Sequence, residues 1–208
     1  MKCFAFLGIQ GSGKGTQAEK LSYYLHYQHI NIGDLFRYHV SHETELGLEV
    51  RKIIQRGELV PDHLVFSLIN HSIAEKTQGI VFDGFPRTIP QAEFLVAHYD
   101  LLQVFYLILT ESEAKDRISF RRVCSSCGTN YNLHSSPPQK PDICDTCGSE
   151  LIIRPDDQPA AIEKRFQEFY QQTQPLVEFF RAKGVLVEVL ANQSIPQIYQ
   201  TLLSSIKK

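Results

Sequence analysis

The sequence predicts an α/β fold built on a parallel sheet, interrupted by two insertions. Short apolar runs recur at residues 3–7, 79–82, 104–109 and 185–190, each nearly continuous rather than alternating. That is the pattern of strands covered on both faces. Stretches of helical period lie between them, and strands alternating with helices make a parallel sheet. Residues 31–60 and 122–157 do not fit the alternation and read as insertions.

The first run leads into a glycine-rich stretch and reads as a buried opening strand, with Cys3 an inert core thiol. Residues 1–9 superficially resemble a signal peptide, but their apolar part is short and no small-x-small cleavage site follows. No run of 18 apolar residues occurs, so no membrane span is expected and a cytoplasmic protein is. Ala18, Leu21 and Leu25 then share one helix face. Residues 31–60 read as helical without a strand. Pro61-Asp62 is a helix start for Leu64, Val65, Leu68 and Ile69. Thr110-Glu111-Ser112-Glu113 reads as a capping box opening a helix through Arg117 and Arg121. Residues 122–157, rich in Cys, Pro, Ser, Gly and Asp, form the second insertion, and Pro159 opens a long helix through Arg165. The expected division is a core of 1–30, 61–121 and 158–208, with insertions at 31–60 and 122–157.

With 208 residues, 43% of them hydrophobic, the chain can bury a core without disulfides. A net charge of −2 argues against a protein that coats nucleic acid.

Gly8-Ile9-Gln10-Gly11-Ser12-Gly13-Lys14-Gly15-Thr16 joins the first strand to the first helix. Gly11, Ser12, Gly13 and Gly15 let backbone N–H groups wrap phosphate oxygens at a helix N-terminus. Lys14 supplies charge to the outer phosphates, and Thr16 can bind Mg²⁺ or a phosphate. Gly15 between Lys14 and Thr16 sets the motif apart from the commonest P-loop.

Four of the five cysteines fall in two pairs, Cys124-x-x-Cys127 and Cys144-x-x-Cys147. That is the spacing of a four-thiolate zinc site. Gly128 and Gly148 follow the pairs, where tight turns need them. Four protein ligands leave no open position, so such a zinc is structural; an iron centre or free thiols are the alternatives.

The GxxGxGKGT form resembles nucleoside monophosphate kinases of the adenylate kinase type. Three further stretches match in order and spacing: Gly33-Asp34-Leu35-Phe36-Arg37, Asp83-Gly84-Phe85-Pro86-Arg87-Thr88-Ile89-Pro90-Gln91-Ala92, and Arg154-Pro155-Asp156-Asp157 with Arg165 beyond. The resemblance implies a P-loop kinase core, an AMP-binding insertion at 31–60 and a zinc-binding lid at 122–157. It implies transfer of a phosphoryl group from Mg-ATP to AMP, giving ADP, by a monomer. In it Arg37, Arg87, Arg154 and Arg165 hold the AMP phosphate and the transferring group. Arg121 holds ATP phosphate, with Arg117 one turn earlier on its helix face. Asp83 orients Mg²⁺ through water, so the catalytic set is Lys14, Asp83, Arg87, Arg121, Arg154 and Arg165. Gln91 reads the adenine edge, Gly84, Phe85 and Pro86 belong to the AMP site, and Glu58, Leu59 and Val60 touch its base and sugar. Asn130 and Tyr131 touch the ATP base or ribose, and Ser194 is a further ATP position.

Two positions depart from the pattern. Ile32 stands where adenylate kinases typically carry Thr, which removes a hydroxyl beside AMP. Ala191-Asn192 stands where Asp-Gly is usual. Ile32 keeps a UMP or CMP kinase of the same fold as the alternative. A zinc-ribbon binding module carrying a P-loop is a more distant one, opposed by the acidic balance and the arginine set.

Overall fold

A computed structural model describes residues 1–206. Strands β1 (Lys2–Gly8), β2 (Gln28–Asn31), β3 (Gly79–Asp83), β4 (Asp100–Ile108) and β8 (Leu186–Leu190) form one parallel sheet, in the order β2-β3-β1-β4-β8. Strands β5 (Arg121–Cys124), β6 (Asn130–Asn132) and β7 (Leu151–Ile152) form a small antiparallel sheet within the lid insertion. The helices are α1 (Lys14–Leu25), α2 (Ile32–Ser41), α3 (Glu45–Gln55), α4 (Asp62–Ser72), α5 (Ile89–His98), α6 (Glu111–Ser119), α7 (Pro159–Glu168), α8 (Pro175–Ala182) and α9 (Ile195–Ser205).

Both faces of the central sheet are covered, which is why its strands read as continuous apolar runs. Along β1, Cys3, Ala5 and Leu7 join the core under α4, α5 and α8, while Phe4 and Phe6 face α1 and α9. Burial among these groups pushes the Cys3 thiol up to about 12, so it stays protonated and inert. The parallel register sets Phe6 beside Asp83, and Asn31 beside Asp83 on the other side. The carboxyl ends of β1, β2 and β3 thus converge, where ligands bind in open α/β sheets.

Strand β2 was not expected. Ile30 is its one fully buried side chain, and it lies at the sheet edge. Four residues with one apolar member carry no readable period. Its last residue, Asn31, falls inside the stretch expected to carry no strand.

One helix reading needs correction. α6 stops at Ser119, and Arg121 opens β5, paired with Asn132. Arg117 and Arg121 therefore do not share a helix face. The helix from Pro159 runs through Arg165 as expected, ends at Glu168 and passes through a π turn at Phe169–Thr173 into α8. Pro175 has no N–H to continue the ladder. Gln174 N–H bonds Phe169 O at 2.7 Å, five residues back. Such π turns gather at functional sites, and this one lies against the cleft described next.

Candidate active site and lid

The loop between β1 and α1 encloses the N-terminus of α1 without a side-chain cap, leaving its first N–H groups free for an anion. Lys14 folds back over this loop, donating to Gly8 O at 2.7 Å and Ile9 O at 3.0 Å. Behind it lies Asp83, whose carboxylate accepts from Asn31 Nδ2 at 2.6 Å. A Cβ at position 15 would stand 3.1 Å from that carboxylate, so glycine is the residue that lets the loop close on Asp83. Burial, reinforced by Arg87, Arg121 and Arg165 against the opposing pull of Asp83, brings Lys14 down to about 7.

Two clefts meet beside this loop. One, of ≈ 470 Å³, is lined by the loop, Lys14, Pro86 and Thr173. The other, of ≈ 580 Å³, is lined by Ile32, Arg37, Glu58, Val60 and Gln91. They share Gly57, Leu59, Gly84, Arg87 and Arg165. Arg87 and Arg165 mark their junction.

The arginines are held by acidic partners. Arg121 grips Asp157 with two nitrogens, Nε at 2.8 Å. Arg165 bonds Asp156 and reaches Asp157 at 3.3 Å. Arg37 pairs with Asp34 and lies 3.5 Å from Asp156. Arg154 bonds Asn130 and lies 3.9 Å from Asp34, so the end of the second insertion meets helix α2. Arg87 is fixed through its Nε to Gly84 O at 2.9 Å. Burial and the neighbouring cations pull Arg87 to about 10 and Arg154 to about 9. Burial pushes Asp156 up, but Arg165, Arg37 and Arg154 prevail and hold it at about 2. A cluster of cations that repel one another is relieved by an incoming polyanion.

In the lid, two equivalent turns present the cysteines. Cys124 N–H bonds Thr129 O at 2.9 Å and Cys144 N–H bonds Ser149 O at 2.8 Å. Gly128 and Gly148 each take a positive φ, 73° and 76°, which glycine supplies without strain. All four sulfurs lie within 4.8 Å of one another, with Cys124–Cys147 at 3.4 Å and Cys127–Cys144 at 3.6 Å. Sulfurs around a tetrahedral zinc at 2.3 Å stand about 3.8 Å apart, so the donor set fits that ion.

The family model for adenylate kinase matches residues 6–185. The chain is 39% identical to an adenylate kinase of Methanocella arvoryzae, over 99% of this chain and 98% of that one. It is 41% identical to an adenylate kinase of Lachnospira eligens, over 95% and 96% of the two chains. It is 38% identical to one from Borrelia turicatae, over 98% of each.

The chain belongs to the adenylate kinase family.

Of the residues that the adenylate kinase resemblance singled out, Lys14, Arg37, Glu58, Leu59, Val60, Gly84, Pro86, Arg87, Gln91 and Arg165 line the two clefts, and several others sit differently. Phe85 is fully buried in the core against Phe82, so its side chain does not line the acceptor cleft. Tyr131 is 8% exposed; its hydroxyl accepts from Asp145 N–H at 2.8 Å and lies 3.5 Å from Cys144 Sγ. It packs against the cysteine turns. Ser194 caps α9, its hydroxyl donating to Gln197 Oε1 at 2.7 Å. Arg117 donates to Ala191 O, tying α6 to the segment after β8. Ile32 lines the acceptor cleft yet is only 4% exposed and packs with Phe36 and Val50. Gln91 is buried, at 2% exposure. Asn31, Asp62 and Thr173 have roles that no motif announced, since each is a single polar residue without diagnostic spacing.

Proposed function

We infer that this chain catalyses reversible phosphoryl transfer from Mg-ATP to AMP, giving two ADP, and that its lid is built on a structural zinc. The observation that carries the reading is the pair of clefts joined at Arg87 and Arg165, one opening on the phosphate loop and the other on Gln91 and Arg37.

Phosphoryl transfer asks little covalent work of a protein; it asks for in-line positioning and neutralised charge. On this reading the loop from Gly8 to Thr16 and Lys14 hold the donor phosphates. Arg37 and Arg87 hold the acceptor phosphate, and Arg121, Arg154 and Arg165 gather charge around the transferring group. Arg121 and Arg154 belong to the lid's two connections to the core, so their place in the cluster depends on where the lid sits. Closure over both clefts excludes water, without which ATP would be hydrolysed. On the same reading Asp83, buried beside Lys14 with a carboxylate oxygen 3.1 Å from the Gly15 Cβ position, orients the water shell of the nucleotide's Mg²⁺. Mg²⁺ bound with ATP supplies additional neutralisation of the phosphates.

Cys124, Cys127, Cys144 and Cys147 would hold zinc with no position open to substrate, and its role would be to fold the lid. Apart from Tyr131, Leu151 and two of the cysteines, the lid has no buried apolar cluster among the described residues.

A coupled assay of ADP formation across AMP, UMP, CMP and GMP tests the reading. AMP should be the preferred acceptor by a wide margin; preference for UMP or CMP would replace it.

A further inference from the structure

Asp62 is the first residue of α4, and a carboxylate there ordinarily reads as a helix N-terminal acid. Its contacts point elsewhere. One oxygen accepts from Gln91 Nε2 at 2.6 Å, and both lie 3.2 Å from the Thr88 hydroxyl. Among the described residues it forms no ion pair. Gln91 Oε1 meanwhile accepts from the backbone N–H of Arg87 at 2.7 Å.

These two contacts lock an amide that could otherwise turn over. A carboxylate only accepts and a backbone N–H only donates. Turning the Gln91 amide by 180° would set its oxygen against Asp62 and its NH₂ against the Arg87 N–H. Both new contacts would be repulsive, in a side chain 2% exposed. With the amide locked, one N–H and one oxygen lone pair are left over in a fixed sense, and Gln91 lines the acceptor cleft.

That sense matters chemically. Adenine offers a donor at its 6-amino group and an acceptor at N1. Hypoxanthine has the same size and reverses both, with an acceptor at O6 and a donor at N1. One amide orientation serves one edge, and the other orientation serves the other.

We propose that Asp62 is a positioning residue that sets the acceptor site's base preference, by holding the Gln91 amide in the orientation that matches a 6-aminopurine and opposes a 6-oxopurine. The proposal rests on the reading of Gln91 as the base contact.

The test compares AMP with IMP as acceptors, in wild type, Asp62→Asn, Asp62→Ala, Gln91→Ala and the Asp62→Ala/Gln91→Ala double variant. In Asp62→Ala the AMP-to-IMP ratio of kcat/KM should fall about tenfold, since the amide no longer faces a fixed acceptor. The change should fall mainly on the KM for AMP, with the KM for ATP unaltered. Asp62→Asn keeps the shape and can face either end of the amide, so it should shift the ratio in the same direction by less. In the Gln91→Ala background, removing Asp62 should not change the ratio further. A lowered melting temperature or turnover with the ratio intact in both Asp62 variants, while Gln91→Ala does shift it, would leave Asp62 a helix-terminal acid and overturn the proposal alone. If Gln91→Ala leaves the ratio intact, the reading of Gln91 fails and the role of Asp62 falls with it.

Discussion

The Thr173 hydroxyl donates to the main-chain oxygen of Arg87 at 2.9 Å, across 86 residues of chain. Gln91 takes the N–H of the same residue, and Gly84 O takes its Nε at 2.9 Å. Arg87 is therefore held at its amide, its carbonyl and its guanidinium. Thr173 is the last residue of the π turn.

Arg87→Ala should lower turnover by on the order of a thousandfold, since it removes a charge aimed at the transferring group. Thr173→Val removes only the hydroxyl that steadies Arg87. It should lower kcat roughly two- to tenfold, the equivalent of one hydrogen bond of about 0.5–1.5 kcal/mol, with the KM for ATP little changed. Steady-state kinetics separates the two effects. A normal kcat in Thr173→Val would show that the contact serves packing alone.

Lys14→Ala should also cost on the order of a thousandfold in turnover. In the free protein burial disfavours the Lys14 charge and pulls its pKa down from 10.5 to about 7. Bound phosphates favour that charge and raise the pKa again. Between pH 7.5 and 9, ATP binding should therefore take up a proton and weaken as pH rises. Stability of the free protein shifts the opposite way: the unfolded chain binds the proton more tightly, so stability rises with pH from about 7 towards 10.5. Calorimetry in buffers of different ionisation enthalpy measures the uptake, which should vanish in Lys14→Met. Equal proton uptake in that variant would assign the titration elsewhere.

One zinc should bind per chain. Chelation, or Cys144→Ser, should lower the melting temperature and loosen the lid while AMP affinity changes little. Metal analysis of a folded, reduced preparation checks the stoichiometry, and thermal unfolding checks the effect. Lost turnover at unchanged stability would point to a catalytic metal instead.

Ile32 lines the acceptor cleft without a hydroxyl to offer. Ile32→Thr should improve AMP affinity about two- to tenfold by adding one hydrogen bond. Because Ile32 is 4% exposed among core side chains, the same change should cost on the order of 1–2 kcal/mol of stability. Titration calorimetry and thermal unfolding read the two terms separately. Lower stability with no tighter AMP would make Ile32 a packing residue only.

The motifs and the buried strands were legible because each imposes a pattern. Strands covered on both faces leave continuous apolar runs, a phosphate loop needs its glycines, and a four-thiolate site needs paired cysteines. What was hidden depends on contacts between distant residues. Gln28–Asn31 becomes a strand because β3 offers it an edge and Ile30 a place in the core, neither of which its own composition reveals. Tyr131 packs beside the Cys144 sulfur where β6 pairs with β5, a contact its own sequence neighbours do not reveal. Asp62, 29 residues from Gln91 in sequence, becomes its partner only when α4 and α5 are in place.

The most direct test of the whole account supplies AMP labelled in its adenine ring together with unlabelled Mg-ATP and follows both nucleotides. The predicted result is label appearing in ADP, two ADP formed for each ATP consumed, and negligible ATP loss when AMP is left out. ATP consumed without acceptor, or label that stays in AMP while UMP or CMP is phosphorylated, would contradict it.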